Sequence, residues 1–278
     1  MARGVGEYYD RNTRRFLRFG GAGTTGAIHR AIWAPGVASA EEAFLYLNRL
    51  VAVALRPALE AGEPPGRVLD LGCGVGGTST WLAAELGAEV VGVANSPVQL
   101  EIARRRAREL GLEGRCRFLL GDFLDLPPLG PAQGACAIES FVHAADPAGF
   151  FRQVAAQLAP GGRLVICDDF LAEPLTDPGQ RRRAEAWLGR FRGGWGAHSL
   201  VEEAAALELA GQAGLRSLET VDLTGFLRGF RPLLLYPLAA LTRLPLRSAY
   251  WRNLAGGTAL QVCVRRGYTR YLALVFEK

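Results

Sequence analysis

Short runs of apolar residues alternate with helix-like segments from residue 67 onward. The apolar runs predict strands at 67–71, 89–94, 115–120, 134–140 and 162–169. The segments between them predict helices at 78–86, 98–110 and 146–158, which begin after glycine, Ser-Pro or Asp-Pro signals. Near-continuous apolar strands separated by helices are typical of a parallel sheet that is covered on both faces. The pattern therefore predicts an α/β fold with a doubly wound, mostly parallel sheet.

The regular alternation is interrupted after Asp169. Residues 177–199 predict an arginine- and tryptophan-rich helix and loop, followed by a helix at 200–214 and a sixth strand at 215–224. An apolar helical tract then leads to a seventh strand at 270–278, which we expect to be antiparallel to the others. We predict two units. Residues 1–60 form a helical N-terminal segment, and residues 61–278 form the sheet domain, with a helical cap built from insertions at about 171–200 and 225–257.

Composition narrows the class of protein. The chain has 278 residues, 49% of them hydrophobic, and a net charge of +5. Its arginines are spread along the chain without a nucleic-acid-reading motif, so we expect no nucleic-acid partner. None of the five cysteines is spaced as CxxC and residues 1–16 contain no apolar signal region, so we expect a cytoplasmic protein. Residues 232–246 are too short and too interrupted to span a bilayer, which leaves open a contact with a membrane surface. The oligomeric state cannot be inferred.

A glycine-rich loop follows the first strand. Gly72, Gly74 and Gly77 stand between this strand and a helix, where close backbone approach and the helix N-terminus favour an anionic ligand group. The G-x-G-x-x-G spacing alone also suits NAD. An acidic residue, Asp122, ends the third strand, whereas none ends the second strand, where an NAD enzyme holds the ribose. These features favour S-adenosylmethionine.

The motifs "LDLGCG" and "GDF" resemble those of class I S-adenosylmethionine-dependent methyltransferases over about residues 65–170. "GVANSPVQ" and "AIESFVHAAD" are similar to segments of sterol and tocopherol C-methyltransferases, and "GVANSPVQ" also to cyclopropane fatty acid synthases. The N-terminal "YYDRNTRRFLRFG" is similar to a segment that closes over the cofactor in the sterol enzymes. The resemblance assigns the ribose to Asn95 and Gln99, and the adenine to Asp122 and Phe123. The cofactor-binding residues that it implies are Tyr9, Asp70, Gly72, Cys73, Gly74, Asn95, Ser96, Gln99, Gly121, Asp122, Phe123 and Glu139.

Bulky apolar side chains follow the strands that carry these residues. Most of them pack a helical cap, but a few in the 177–199 insertion and at the strand ends suit a pocket for a hydrophobic substrate. Arginines at 181–183, 228 and 231 either hold a diphosphate or form solvated faces. We expect no metal ligated by the protein. The predicted substrate residues are Phe141, Phe170, Trp187, Phe191, Trp195 and His198.

Glu139 and His143 follow the fourth strand, at the edge of the sheet where ligands bind in this fold. We predict that Glu139 is a catalytic base with a pKa raised by burial, and that His143 orients it or relays its proton. The predicted reaction is C-methylation of an isoprenoid, such as a prenyl diphosphate, through a carbocation. Methylation of oxygen or nitrogen in a small hydrophobic or aromatic metabolite is the alternative. An NAD-linked oxidoreductase and a noncatalytic protein with this fold are further alternatives.

Overall fold

The structure, a computed structural model, describes residues 26, 28–244 and 248–278. Tyr9 and the rest of the predicted cofactor-closing segment lie outside the described residues.

A single sheet organises the described part of the chain. Its strands are β1 (Arg67–Leu71), β2 (Glu89–Ala94), β3 (Cys116–Leu120), β4 (Ala132–Ile138), β5 (Leu158–Leu171), β6 (Arg216–Asp222) and β7 (Thr269–Glu277). They lie in the order β3-β2-β1-β4-β5-β7-β6. Strands β1 to β5 pair in parallel, and β7 runs antiparallel to both β5 and β6. The predicted seven-stranded, doubly wound sheet with an antiparallel last strand is confirmed.

Helices cover both faces and one end of the sheet. They are α1 (Ala40–Glu60), α2 (Gly77–Leu86), α3 (Pro97–Glu109), α4 (Pro147–Gln157), α5 (Pro178–Trp195), α6 (Glu203–Gln212), α7 (Pro232–Leu241) and α8 (Ala249–Arg266). Local sequence explains where several of them begin. Ser39 and Glu42 form a capping box at α1, and Ser96 precedes Pro97 and accepts a hydrogen bond from the backbone N–H of Gln99 at 3.1 Å.

The core lies on both faces of the sheet because neighbouring residues of each strand point to opposite sides. On β1, Val68 packs in one cluster with Leu47 and Leu55 of α1, whereas Leu69 packs in a second cluster with Phe150 of α4. Both clusters consist of buried side chains, which explains why the parallel strands are almost continuously apolar.

Helices α5 and α8 pack closely against each other beyond the carboxyl ends of the strands. A Cβ atom on Gly194 would lie 2.5 Å from the Cα atom of Gly256, so only glycine permits this approach. Helix α7 packs against α8. None of the helices in the described ranges has the length and apolar character needed to cross a membrane.

Candidate active site

The loop after β1 brings backbone to an open space at the edge of the sheet. Gly72 and Gly74 have φ angles of 88° and 53°, a conformation that glycine adopts without strain. A Cβ atom on Gly72 would clash with the side chain of Ser140. A Cβ atom on Gly74 would meet no atom closer than 3.8 Å. The backbone at Gly74 is therefore accessible to a ligand, as a cofactor loop requires.

A cavity, here called the glycine-loop cavity, opens between this loop and the ends of β2, β3 and β4. The structure brings together most of the predicted cofactor and catalytic residues in its wall. These are Asp70, Gly72, Cys73, Gly74, Asn95, Gln99, Gly121, Phe123, Glu139 and His143.

Two predicted cofactor residues lie outside this wall. Ser96 is fully buried as the N-cap of α3. Asp122 accepts a hydrogen bond from the backbone N–H of Leu124 at 2.9 Å, which stabilises the turn after β3. Phe123 contributes to the wall but is almost fully buried, because its ring packs edge-on against Phe150.

Asp70 is a buried carboxyl group beneath the glycine loop. It accepts a hydrogen bond from Ser79 Oγ at 2.5 Å, and the thiol of Cys136 lies 3.8 Å from its other oxygen. Burial raises the pKa of Asp70 to about 6, although both contacts oppose the increase. Asp70 therefore holds its proton to a higher pH than an ordinary aspartate does.

Glu139 has a backbone conformation that side chains rarely adopt. Its φ angle is 50°, and it is the single non-glycine residue with a positive φ in the described ranges. Its N–H donates to the carbonyl oxygen of Cys167 at 2.8 Å, which fixes it at the end of β4. Its Oε1 atom accepts hydrogen bonds from the backbone N–H of Arg30 at 2.8 Å, from Arg30 Nε at 3.0 Å and from the hydroxyl of Tyr271 at 3.0 Å.

The expectation of a raised pKa for Glu139 is wrong. Burial alone would raise the pKa, but the charge of Arg30, the neighbouring His29 and the hydrogen bonds from Arg30 outweigh burial and lower it. Glu139 is therefore ionised at neutral pH. Local sequence gave no signal for this, because Arg30 and Tyr271 are more than a hundred positions away from it along the chain.

Arg30 also binds a second carboxylate. Its two terminal nitrogens donate to Asp169 at 3.1 and 2.6 Å, and its guanidinium group lies 4.1 Å from the ring centre of Tyr271. Burial raises the pKa of Asp169, and Arg30 opposes this increase. A single cation thus holds Glu139 and Asp169 together at the ends of β4 and β5. Arg30 and Asp169 are not among the residues predicted from the sequence.

His143 is a largely buried residue of the wall of the glycine-loop cavity. Its Nδ1 atom lies 3.1 Å from the carbonyl oxygen of Gly196, so this nitrogen carries a proton and donates it. Burial lowers the pKa of His143, and the ring is therefore neutral at pH 7. The contact ties the turn after β4 to the end of α5.

A second, larger cavity adjoins the first. This aromatic cavity has a volume of about 620 Å³, and its wall includes Trp33, Phe44 and Phe230 together with Arg228 and Arg265. The two cavities share four wall residues, namely Ile28, His29, Glu139 and Trp195.

Trp195 is the predicted substrate residue that lines these cavities. Its indole N–H donates to the backbone and side-chain oxygens of Asn253 at 3.1 and 3.0 Å, which fixes the ring at the boundary. The other five predicted substrate residues lie outside both walls. Phe141 and Phe170 stack on each other in the core, Phe191 packs in the α5–α8 interface, Trp187 is partly buried there, and His198 is exposed. We assign the three phenylalanines to the core.

No cluster of three or more metal-ligating side chains occurs in the part of the chain that the structure describes.

Comparison with known proteins identifies the class. The methyltransferase-domain family matches residues 68–162. The chain is 34% identical to an O-methyltransferase of Penicillium expansum, over 79% of this chain and 74% of that enzyme. It is 38% identical to a methyltransferase of Streptomyces halstedii over 64% of this chain, and it spans 62% of that enzyme's length. The chain belongs to the S-adenosylmethionine-dependent methyltransferases.

The relatives include enzymes that methylate carbon and enzymes that methylate oxygen. A rice 24-methylenesterol C-methyltransferase is 33% identical over 69% of this chain and 50% of its own length. Tocopherol O-methyltransferases of rice and Arabidopsis thaliana also match. The structure of a geranyl diphosphate methyltransferase has the same fold, with a TM-score of 0.76, 21% identity and coverage of 99% of this chain and 98% of its own. The predicted resemblance to sterol and tocopherol methyltransferases is confirmed. This group includes enzymes that methylate carbon and enzymes that methylate oxygen, so the resemblance does not identify the methylated atom.

Proposed function

We propose that the protein methylates a carbon atom of a hydrophobic isoprenoid bound in the aromatic cavity, and that Glu139 accepts the proton released by the product cation. The position of Glu139 in the wall shared by the two cavities carries this proposal. Every described hydrogen bond to its carboxylate goes to Oε1. Oε2 has no hydrogen-bond partner within the described ranges, and we assign the role of proton acceptor to this atom.

The lowered pKa of Glu139 favours a carbocation over a hydroxyl group as the proton donor. The cofactor supplies a methyl group bound to a sulfonium. As an alkene carbon bonded to that methyl group, the methyl–sulfur bond would break and leave S-adenosylhomocysteine. The neighbouring carbon of the substrate would become cationic, and loss of an adjacent proton to Glu139 would restore the double bond. This proton is far more acidic than a carboxylic acid, so even a weakly basic carboxylate accepts it. A phenol, with a pKa near ~10, is too weakly acidic for Glu139 to deprotonate appreciably.

The walls of the aromatic cavity suit a prenyl chain with a charged end. Trp33, Phe44 and Trp195 provide ring faces, which stabilise a cation through their electrostatic quadrupole. Arg228 lies 3.7 Å above the ring of Trp33, and Arg265 lines the same cavity. These two arginines are suited to a diphosphate group.

O-methylation of a hydrophobic metabolite is the second candidate, and His143 favours it. Its neutral imidazole in the glycine-loop cavity is a suitable base for a hydroxyl group. The O-methyltransferase relative that spans 79% of this chain supports the same candidate.

The two candidates predict opposite effects of two substitutions. The enzyme and its variants are incubated with labelled S-adenosylmethionine and a panel of prenyl diphosphates, terpenes, phenols and amines. For carbon methylation, Glu139→Gln should reduce turnover at least ~10²-fold with unchanged cofactor affinity, and His143→Gln should reduce it less. For oxygen methylation, the order is reversed.

Tyr271→Phe is the matched control, since it removes one hydrogen bond to Oε1 and retains the carboxylate. Wild-type turnover of Glu139→Gln on the accepted substrate would show that the carboxylate is structural and would end the carbon-methylation proposal.

A further inference from the structure

An exposed apolar surface lies next to the aromatic cavity. Six of the ten large apolar side chains that are exposed in the described ranges lie between residues 230 and 244, and the others are scattered. Leu233 is 87% exposed and Leu234 is 63% exposed, although both belong to the ten-residue helix α7. Contiguous exposed apolar surface marks an interaction site, whereas isolated residues do not. We call this surface the apolar ridge, formed by Phe230, Leu233, Leu234, Tyr236, Leu241 and Leu244.

The segment that carries the ridge has charges of one sign. The sequence contains eight arginines and no aspartate or glutamate between residues 223 and 276. Five of these arginines are exposed beside the ridge or at the adjoining cavity, and we call them the arginine collar: Arg228, Arg231, Arg243, Arg265 and Arg266.

Three of the five collar arginines lie over aromatic rings. Arg228 lies over Trp33, Arg243 over Trp187 and Arg266 over Tyr236. None of the described ion pairs includes a collar arginine. The positive charge of the collar is therefore not neutralised within the described part of the protein.

An anionic bilayer matches both properties at once. Exposed leucines enter the boundary between headgroups and acyl chains, while arginines bind the phosphates. A second copy of the chain fits less well, because symmetric contact would place one arginine collar against another. Helix α7 has ten residues and is too short to cross a bilayer, so the contact would involve a single leaflet.

We infer that the apolar ridge and the arginine collar bind the surface of an anionic phospholipid membrane. Phe230 and Leu235 line the aromatic cavity, so the bound protein would present that cavity close to the lipid. The inference concerns membrane binding and does not depend on which atom the enzyme methylates.

Vesicle sedimentation of the full chain tests the inference. We expect the protein to sediment with vesicles of equimolar phosphatidylcholine and phosphatidylglycerol and to remain in solution with phosphatidylcholine alone. The double variant Leu233→Ser, Leu234→Ser should lose binding to anionic vesicles. The double variant Arg231→Gln, Arg243→Gln should bind at least ~10-fold more weakly, since each arginine near an anionic surface strengthens binding about fivefold.

Leu120→Ser and Val53→Ser are matched controls, because each of these side chains is at least 60% exposed and lies outside the ridge. Binding of S-adenosylhomocysteine measures whether each variant is folded. The inference is overturned if the wild-type protein stays in solution with anionic vesicles, if the leucine variant binds them as well as the controls do, or if phosphatidylcholine alone is equally effective. It is also overturned if light scattering shows a dimer that the leucine variant dissociates, or if the protein binds only an acidic protein partner.

Discussion

Replacing Asp70 with asparagine should stabilise the apoprotein, by an amount that depends on pH. Asp70 is 3% exposed, and its carboxyl group contacts Ser79 and Cys136. Asparagine has nearly the same shape but cannot ionise. The variant therefore removes the free-energy cost of burying a carboxylate and retains most of the packing beneath the glycine loop.

The magnitude follows from the shift in pKa. Burial raises the pKa of Asp70 from 3.8 to about 6, a difference of about 2 units that corresponds to about 3 kcal/mol. Because the pKa is raised in the folded protein, the unfolded chain loses this proton first as pH increases. The buried carboxylate begins to destabilise the wild-type protein as pH rises past the pKa of Asp70 in the unfolded chain. The destabilisation is about half complete at about pH 5, and it is complete above the pKa of Asp70 in the folded protein.

Urea unfolding of the wild type and of Asp70→Asn, without cofactor, measures this effect. The free energy of unfolding of the variant relative to wild type should increase by about 1.5 kcal/mol from about pH 5 to about pH 7.5. The cost of the altered hydrogen bond from Ser79 is the same at both pH values and cancels. Asp125→Asn, at an exposed position, is the matched control. A stability difference that does not change with pH would refute the reasoning.

Three further predictions concern the site. Arg30→Gln should lower the free energy of unfolding by about 3–5 kcal/mol, because it leaves buried carboxylates without their cation. It should also move the acidic limb of the pH–rate profile to higher pH, because the pKa of Glu139 rises. An unchanged acidic limb would contradict the assigned ion pair. Trp195→Ala should shift preference toward larger substrates in the methylation panel with S-adenosylhomocysteine affinity near wild type, whereas equal loss of both would indicate a purely structural role. Gly72→Ala should lower the free energy of unfolding, measured in urea, by at least about 1 kcal/mol. Gly72 has a left-handed φ, and the added methyl group would clash with Ser140. Wild-type stability of this variant would argue against this loop conformation.

Sequence predicted the sheet well because the signals for each strand are local. The predicted bounds of β1 and β2 are those observed, and β3 differs by one residue. Strand β5 begins at Leu158 rather than at residue 162, because Leu158 already pairs with Ala132 before the register shifts. The turn glycines after Leu158 hid this pairing.

The site could be predicted only where its residues belong to one short segment. The glycine loop lies within one short segment, and so does Glu139 with the strand that precedes it. Arg30 and Tyr271 reach Glu139 only through the fold, and the lowered pKa of Glu139 depends on them. Aromatic side chains were harder to assign. Phe141 and Trp195 were both predicted to contact the substrate, but Phe141 is fully buried and Trp195 lines both cavities. Apolar character alone does not distinguish core from cavity wall.

Strand β7 lies between β5 and β6, although it follows both of them along the chain. Until residues 269–277 leave the ribosome, β5 has no neighbour on that side and β6 cannot join the sheet. Glu139 also lacks its contact with Tyr271 during this interval. At typical elongation rates of roughly 5–20 residues per second, a nascent chain would spend seconds with an exposed strand edge and an incomplete site. Methyl-transfer competence would therefore be acquired after translation of this segment, and early release of the chain would yield a species prone to aggregation.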